Sequence, residues 1–280
     1  MSPRDQRAAI ARETLAIIEA GKYIDASGRV VDIAADVLSC VAGTRVFLPG
    51  EWVTSDRPAA SEARFAVRNE SALTALARSV AAGHRRVGVL NFASARRPGG
   101  GFQSGAEAQE EALARSSALY ASLTSSTGAG FYRHDASLDG LYTDRVVVSP
   151  SCPVFRRADG GLLPVAVPAT FLTCAAPNAT ALKASAPSLI ARLPQTFQHR
   201  IARVLDVAAQ SRCDALVLGA WGCGVFGNDP EMVAEGFAQH LVGAGTHAGT
   251  FRHVDFAVLD SSPGLDRLRA FERVFGATTA

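Results

Sequence analysis

Val87-Gly88-Val89-Leu90-Asn91-Phe92 is an apolar run too short for a helix, and it opens into Ala93-Ser94-Ala95-Arg96-Arg97-Pro98-Gly99-Gly100-Gly101. A second such run, Ala215–Ala220, opens into Trp221-Gly222-Cys223-Gly224-Val225-Phe226-Gly227. Continuous apolar stretches of this length, closed by glycine, read as strands buried on both faces of a sheet. Helical patterns lie between them. The spacing predicts helices over 4–21 (Ile10, Leu15, Ile17 and Ile18, stopped by Gly21), Ile33–Val41, from Asn69-Glu70-Ser71 to Gly83, Ala106–Leu123, within Leu189–Arg212 with Pro194 marking a late start, Pro230–Val242 capped by Asp229, and Leu265–Phe275. Further strands are expected at Arg45–Leu48, Arg64–Val67, Arg145–Ser149, Val165–Thr173 and Val254–Leu259, with a hairpin-like pair around Asp25-Ala26-Ser27-Gly28. Strands alternating with helices imply a three-layer α/β fold around a central mixed, largely parallel sheet. Residues 1–62 read as an accessory segment packed on a core of 63–280, without a linker that would cut the chain in two.

The chain has 280 residues, 48% hydrophobic and 19% charged, which excludes disorder as its main state. With 28 basic and 26 acidic residues its net charge is +2, which argues against a glove for nucleic acid. Five cysteines with no CxxC spacing fit neither a disulfide framework nor a zinc ribbon. An apolar leader and a long apolar span are both missing from the sequence, so the expectation is a cytoplasmic protein away from membranes.

Ligands of open α/β sheets bind beyond the carboxyl ends of the strands, where both glycine loops fall. Backbone N–H groups of such loops suit an anion, although glycine runs also serve as plain surface turns. The second loop contains a literal GxGxxG at Gly222, Gly224 and Gly227. A nicotinamide oxidoreductase gains little from it, because a single clear strand follows and position 247 is histidine where a ribose-binding acid would be expected. Gln109-Glu110-Glu111 follows the triple glycine. On a helix, Glu107 and Glu111 would share a face, and Glu110 and Glu111 would point about 100° apart. Adjacent glutamates are usually solvated surface. After a loop suited to phosphate or ribose, they are the carboxyl groups that a glycosidic bond needs, one acid to protonate the leaving oxygen and one carboxylate to activate water. A helix N-terminus lowers a carboxyl pKa, so an acid catalyst there needs desolvation by ligand or repulsion from Glu110 to raise it. The six histidines are scattered without HExxH, and no GxSxG elbow occurs. The arginine pairs at 85–86, 96–97 and 156–157 read as solvated faces, and Cys223 as a small residue allowing close backbone approach.

With Asn91-Phe92-Ala93, Gly99-Gly100-Gly101 and Gln109-Glu110-Glu111 in place, the chain resembles the bacterial-type poly(ADP-ribose) glycohydrolases, enzymes built on a macrodomain. Ala112–Tyr120, Ser149-Pro150, Pro153–Arg156, Ala176-Pro177-Asn178, Gly222–Asn228 and the N-terminal segment are similar too. The resemblance implies Glu111 as the acid and base of ribose–ribose bond hydrolysis, and Glu110 as a holder of ribose hydroxyls. It implies substrate contacts from Asn91, Gly99, Gly100, Gly101 and Gln109. Gly222, Cys223, Gly224, Val225 and Phe226 would cradle the diphosphate, with Phe226 packed on ribose or adenine. No metal and no cofactor are implied. Poly(ADP-ribose) or ADP-ribosylated proteins would be the substrate, cleaved mainly from polymer ends because the N-terminal segment resembles a cap, and ADP-ribose the product. The alternative is a non-catalytic macrodomain that binds ADP-ribose.

Overall fold

The computed structural model describes residues 1–51, 63–133 and 140–276. Its main sheet has seven strands in the order β3 (Arg45–Phe47), β6 (Val146–Arg156), β7 (Leu162–Cys174), β5 (Val87–Phe92), β8 (Ala215–Leu218), β9 (His253–Ala257) and β4 (Arg64–Arg68). From β7 to β4 all neighbours run parallel, while β3–β6 and β6–β7 are antiparallel. The mixed, largely parallel sheet is thus as the sequence suggests.

Helices cover both faces, and the two apolar runs explain why. Val87, Val89, Ala215 and Val217 join one buried layer, and Leu90, Leu216 and Leu218 the other, as the two-residue period of a strand demands. The first layer receives α2 (Ala34–Ala42), α3 (Ala72–Ala81), α4 (Gln109–Ser116) and α5 (Leu119–Thr124) through Val37, Leu76, Leu113 and Leu123. The second receives α7 (Leu193–Gln210), α8 (Pro230–Leu241) and α9 (Asp266–Phe275) through Val204, Phe237 and Phe271. At the N-terminus, α1 (Pro3–Ala20) opens on a Ser2–Asp5 capping box and stops at Gly21, followed by the small hairpin β1 (Lys22–Ile24) and β2 (Val30–Asp32). The N-terminal segment also supplies β3 to the edge of the main sheet.

Four expectations are corrected. The helix over Ala106–Leu123 is broken into α4 and α5, and its first three residues are not helical. Ser117 is extended and bridges Val154; its hydroxyl donates to the Leu113 carbonyl and accepts from the Leu119 N–H, while the Ala118 N–H goes to the Pro153 carbonyl. Strands β6 and β7 extend well past Arg145–Ser149 and Val165–Thr173 as one long hairpin. Prolines are tolerated because β3 pairs only with the start of β6, leaving an edge beyond it, and a register shift between Ser149 and Cys152 absorbs the irregularity at Ser151 (φ 45°). A helix absent from the sequence reading, α6 (Ala179–Ser185), forms on the Asn178 cap. Finally, Arg156 is not a solvated face: it is buried, bonded to the Gly160 carbonyl and paired with Glu13 of α1 at 3.0 Å.

Arg200 of α7, 1% exposed, donates to Asp144 and to the Ala175 carbonyl, each at 2.9 Å, and so pins the chain leaving β7. Replacing it by methionine strands a buried carbonyl. Arg200→Met is expected to cost about 2 kcal/mol, a fall in melting temperature of roughly 5 °C, measurable by differential scanning calorimetry.

Candidate active site

The parallel strands β7, β5 and β8 are neighbours, so the segments after their carboxyl ends meet. Those segments are Ala175–Asn178, the loop 93–101 and the loop 219–228. A side chain added at Gly219 would touch Phe92, so the second loop starts beside the end of the strand that leads into the first.

The first loop is built around the start of α4. The Gln109 side chain is bonded to the end of β5: its Oε1 accepts from the Phe92 N–H at 2.9 Å and its Nε2 donates to the Leu90 carbonyl at 2.7 Å. The amide expected to contact substrate is therefore committed to backbone. This double bond sets the two glutamates against the loop. Glu110, 3% exposed, accepts from the Ser94 N–H at 2.7 Å and from Asn91 Nδ2 at 3.4 Å. Asn91 is wholly buried and also bonds Thr173 at 3.2 Å, leaving its Oδ1 without a partner. Glu111 accepts from the Gly101 N–H at 2.9 Å through Oε1, while its Oε2 is buried with no partner. Gly100 adopts φ 61°, and a Cβ there would be driven into the Glu111 carboxylate.

Glu107 does not share a helical face with Glu111. Ala108 is extended, the Ala106 N–H returns to the Gly101 carbonyl, and Arg115 grips the Ala106 carbonyl at 2.6 Å. Glu107 is left in the preceding loop, paired with Arg7 of α1 at 2.7 Å. Arg4 and Arg7 also donate to the carbonyls of Ser104 and Gly105, and Thr14 to that of Arg115, so α1 braces the far side of the glycine turn.

The second loop is pinned from within and from α6. Asn228 Nδ2 donates to the carbonyls of Pro177 and Gly222, at 2.7 and 3.0 Å. The Thr180 N–H donates to the Phe226 carbonyl at 3.0 Å. Gly222 has φ 75°, and a Cβ would meet Asn228 and Ala176 at 2.5 and 2.6 Å. Gly224 faces open space, Val225 is strongly exposed, and Phe226 is half-buried beside Tyr142, with ring centroids 6.1 Å apart. Burial pushes the Cys223 thiol up to about 12, which makes it a poor nucleophile. Thr173, Thr180 and Tyr142 were not singled out from sequence: Thr180 depends on the unforeseen α6, and the others sit in strand and loop without a local motif.

Burial, with the Glu111 charge adding, pushes Glu110 up to about 8, against the pull of the Ser94 N–H and the Asn91 amide. Glu110, the glutamate read as the ribose holder and not as the catalytic acid, is thus raised before any ligand arrives, with burial as its main cause. Elsewhere, His247 pairs with Asp206 and His253 with Asp255, at 3.0 and 3.1 Å; His134 lies outside the described residues. Among the described residues no cluster of three or more potential ligands could hold a metal ion, and no helix is long and apolar enough to cross a membrane.

Residues 11–157 match the family model of the microbial-type PARG catalytic domain. The chain belongs to this family. It is similar to the poly(ADP-ribose) glycohydrolase (PARG) of Thermomonospora curvata, with 45% identity, a TM-score of 0.90, and coverage of 97% of this chain and 100% of that one. A structure of that enzyme bound to the inhibitor ADP-HPD matches at 45% identity and a TM-score of 0.88, covering 96% of this chain and 99% of that one. The PARG of Deinococcus radiodurans in complex with ADP-ribose matches at 42% identity and a TM-score of 0.80, covering 85% of this chain and 96% of that one. A comparison with curated proteins finds no match. The chain is a glycohydrolase, and its likeness to the Thermomonospora enzyme extends over 97% of its length.

Two outcomes follow from the first loop. Between the ordinary carboxyl value of 4.5 and about 8, the unfolded chain releases the Glu110 proton while the folded chain keeps it. The folded state binds more protons in that window, so stability falls as pH rises through it. Glu110→Gln, which keeps the Ser94 bond, is expected to melt several degrees above the wild type at pH 8, with the difference shrinking toward pH 5. Gly100→Ala is expected to abolish most turnover by displacing the Glu111 carboxylate, and a steady-state assay giving near-normal kcat would contradict that placement.

Proposed function

We propose that this chain hydrolyses the ribose–ribose O-glycosidic bonds of poly(ADP-ribose), mainly from polymer ends, and releases ADP-ribose. The observation that carries the reading is the Glu111 carboxyl, tied by one oxygen to the Gly101 N–H and buried with the other oxygen free of any protein partner. A buried, unsatisfied carboxyl oxygen is costly unless a ligand meets it.

In this reading Glu111 gives a proton to the glycosidic oxygen as the bond to the anomeric carbon breaks. The leaving hydroxyl stays with the shortened polymer. The oxocarbenium-like carbon is then attacked by water, whose proton returns to Glu111 as the new C–O bond forms. Water is the only co-reactant, and the acid is regenerated each turn. Glu110, protonated below about pH 8, holds ribose hydroxyls as both donor and acceptor, with Asn91 Oδ1 as a second acceptor. Gly99, Gly100 and Gly101 support ribose and phosphate. Gly222, Cys223, Gly224 and Val225 turn backbone toward the diphosphate, and Phe226 offers a flat face to ribose or adenine. Gln109 serves the substrate by holding the glutamates in place.

The brace of α1 on residues 104–107 supports a wall beside the glycine turn, and hence cleavage at ends. Residues 1–62 act as an accessory segment on the core of 63–280. Free polymer and ADP-ribosylated proteins are both substrates. The cysteines, all free and mostly buried, fit a reducing cytoplasm.

Glu111→Gln is expected to bind ADP-ribose as the wild type does by calorimetry and to release it from polymer about 10²–10⁴-fold more slowly. Near-normal release would remove Glu111 from the chemistry. Wild-type protein that binds ADP-ribose but liberates none from polymer would leave a binding module instead of an enzyme.

A further inference from the structure

A buried arginine is costly, because its guanidinium keeps its charge after leaving water. Arg115, in the last turn of α4, is 8% exposed. It lies four residues after Glu111, on the same face of the helix. Burial pulls the guanidinium below its ordinary value, and the Glu111 charge opposes that pull. Arg115 Nη1 donates to the Ala106 carbonyl at 2.6 Å. The Ala106 N–H donates to the Gly101 carbonyl at 3.2 Å, and the Gly101 N–H to Glu111 Oε1 at 2.9 Å. These bonds form a closed circuit. It leaves α4 at Glu111, crosses the end of the glycine turn, and rejoins α4 one helical turn later at Arg115. A Cβ on Gly101 would meet that of Ala106 at 2.9 Å, so the two limbs of the turn touch where the circuit crosses them. From outside, the Thr14 hydroxyl of α1 donates to the Arg115 carbonyl at 2.5 Å.

We propose that Arg115 is a positioning residue for the glycosidic step: through the Ala106 carbonyl it holds the turn that presents the Gly101 N–H, and so fixes the Glu111 carboxyl against the bond to be cut. A glutamate side chain turns about several bonds, and one backbone N–H orients it only if that N–H is itself fixed. Gly99, Gly100 and Gly101 have no side chains to stiffen the turn, so the fastening has to come from elsewhere. Arg115 supplies it from the helix that carries the glutamate, and acid and turn are held as one body. Glu110 stands outside the circuit, held by Ser94 and Asn91, and so does the second glycine loop. Loss of the circuit therefore shows in the chemical step and not in binding. The inference rests on the proposed reading, in which Glu111 is the acid and base.

The test is Arg115→Met, which fills the space with an unbranched apolar chain and removes both donor and charge. With polymer as substrate, kcat of the folded variant is expected to fall about 10–100-fold, the scale of a misplaced catalytic group, while KM and the calorimetric affinity for ADP-ribose stay within about two-fold of the wild type. Arg115→Lys, which keeps a charged donor on a long stem, is expected to recover part of the lost kcat. If the methionine variant does not fold, Arg115→Gln, whose side chain is too short to span the same gap, takes its place with the same expected outcome. Near-normal kcat in the folded variant would overturn the proposal. An equal loss of kcat and of ADP-ribose affinity would overturn it too, since the arginine would then hold the whole site together and not the one carboxyl. A lysine variant no better than the methionine or glutamine one would do the same. If the wild type releases no ADP-ribose from polymer, the functional reading falls and takes this inference with it. If the wild type turns over and Arg115→Met matches it, only the role of Arg115 is lost.

Discussion

The bond pair between the Gln109 amide and the backbone of β5 is the constraint on which the site depends. A strand that ends inside an α/β sheet has exposed N–H and C=O groups just where a ligand arrives. Gln109 satisfies one of each and in doing so locks the first turn of α4 to the strand end. Glu110 and Glu111 then meet the loop from a fixed direction, and the Ser94 and Gly101 N–H groups complete the loop's hold on them. A glycine at position 100 is what lets the turn come this close to the Glu111 carboxylate. The triple glycine and the glutamate pair are two halves of one closed structure.

That closure has an electrostatic consequence. A carboxyl with little water around it and a like charge next to it favours its protonated form, and this outweighs the backbone and amide donors that Glu110 enjoys. The chain thus tolerates a costly acid and several unsatisfied polar atoms in its interior. Such sites work against stability and persist where a ligand repays them. In the proposed reading, the near-neutral net charge suits a polyanionic substrate because backbone N–H groups of the second loop, in place of a field of lysine and arginine, would take the diphosphate.

Much of the architecture was legible in the sequence. Val87–Phe92 and Ala215–Leu218 are short, almost wholly apolar and lead into glycine-rich loops, so their place at the sheet centre needed no tertiary information. The break at Ser117 was hidden, because Ala112–Leu123 carries good helix formers and the extended residue is held by Pro153 and Val154 of a distant strand. The length of β6 and β7 was hidden for a different reason: Pro150, Pro153 and Pro164 interrupt the local strand pattern, and the exposed sheet edge makes them admissible. Arg156 looked like surface until α1 folded over it and supplied Glu13.

By itself the sequence determined the alternation of strands and helices, the two glycine loops, and the glutamate pair following the first of them. Those are local properties, written in periodicity and in residue types that backbone geometry demands. Tertiary structure alone decided which glutamate is buried, that Gln109 serves the strand, and that Glu107 pairs with Arg7 of α1. Burial and electrostatic environment are sums over neighbours that the chain brings together only on folding, and no window of sequence contains them.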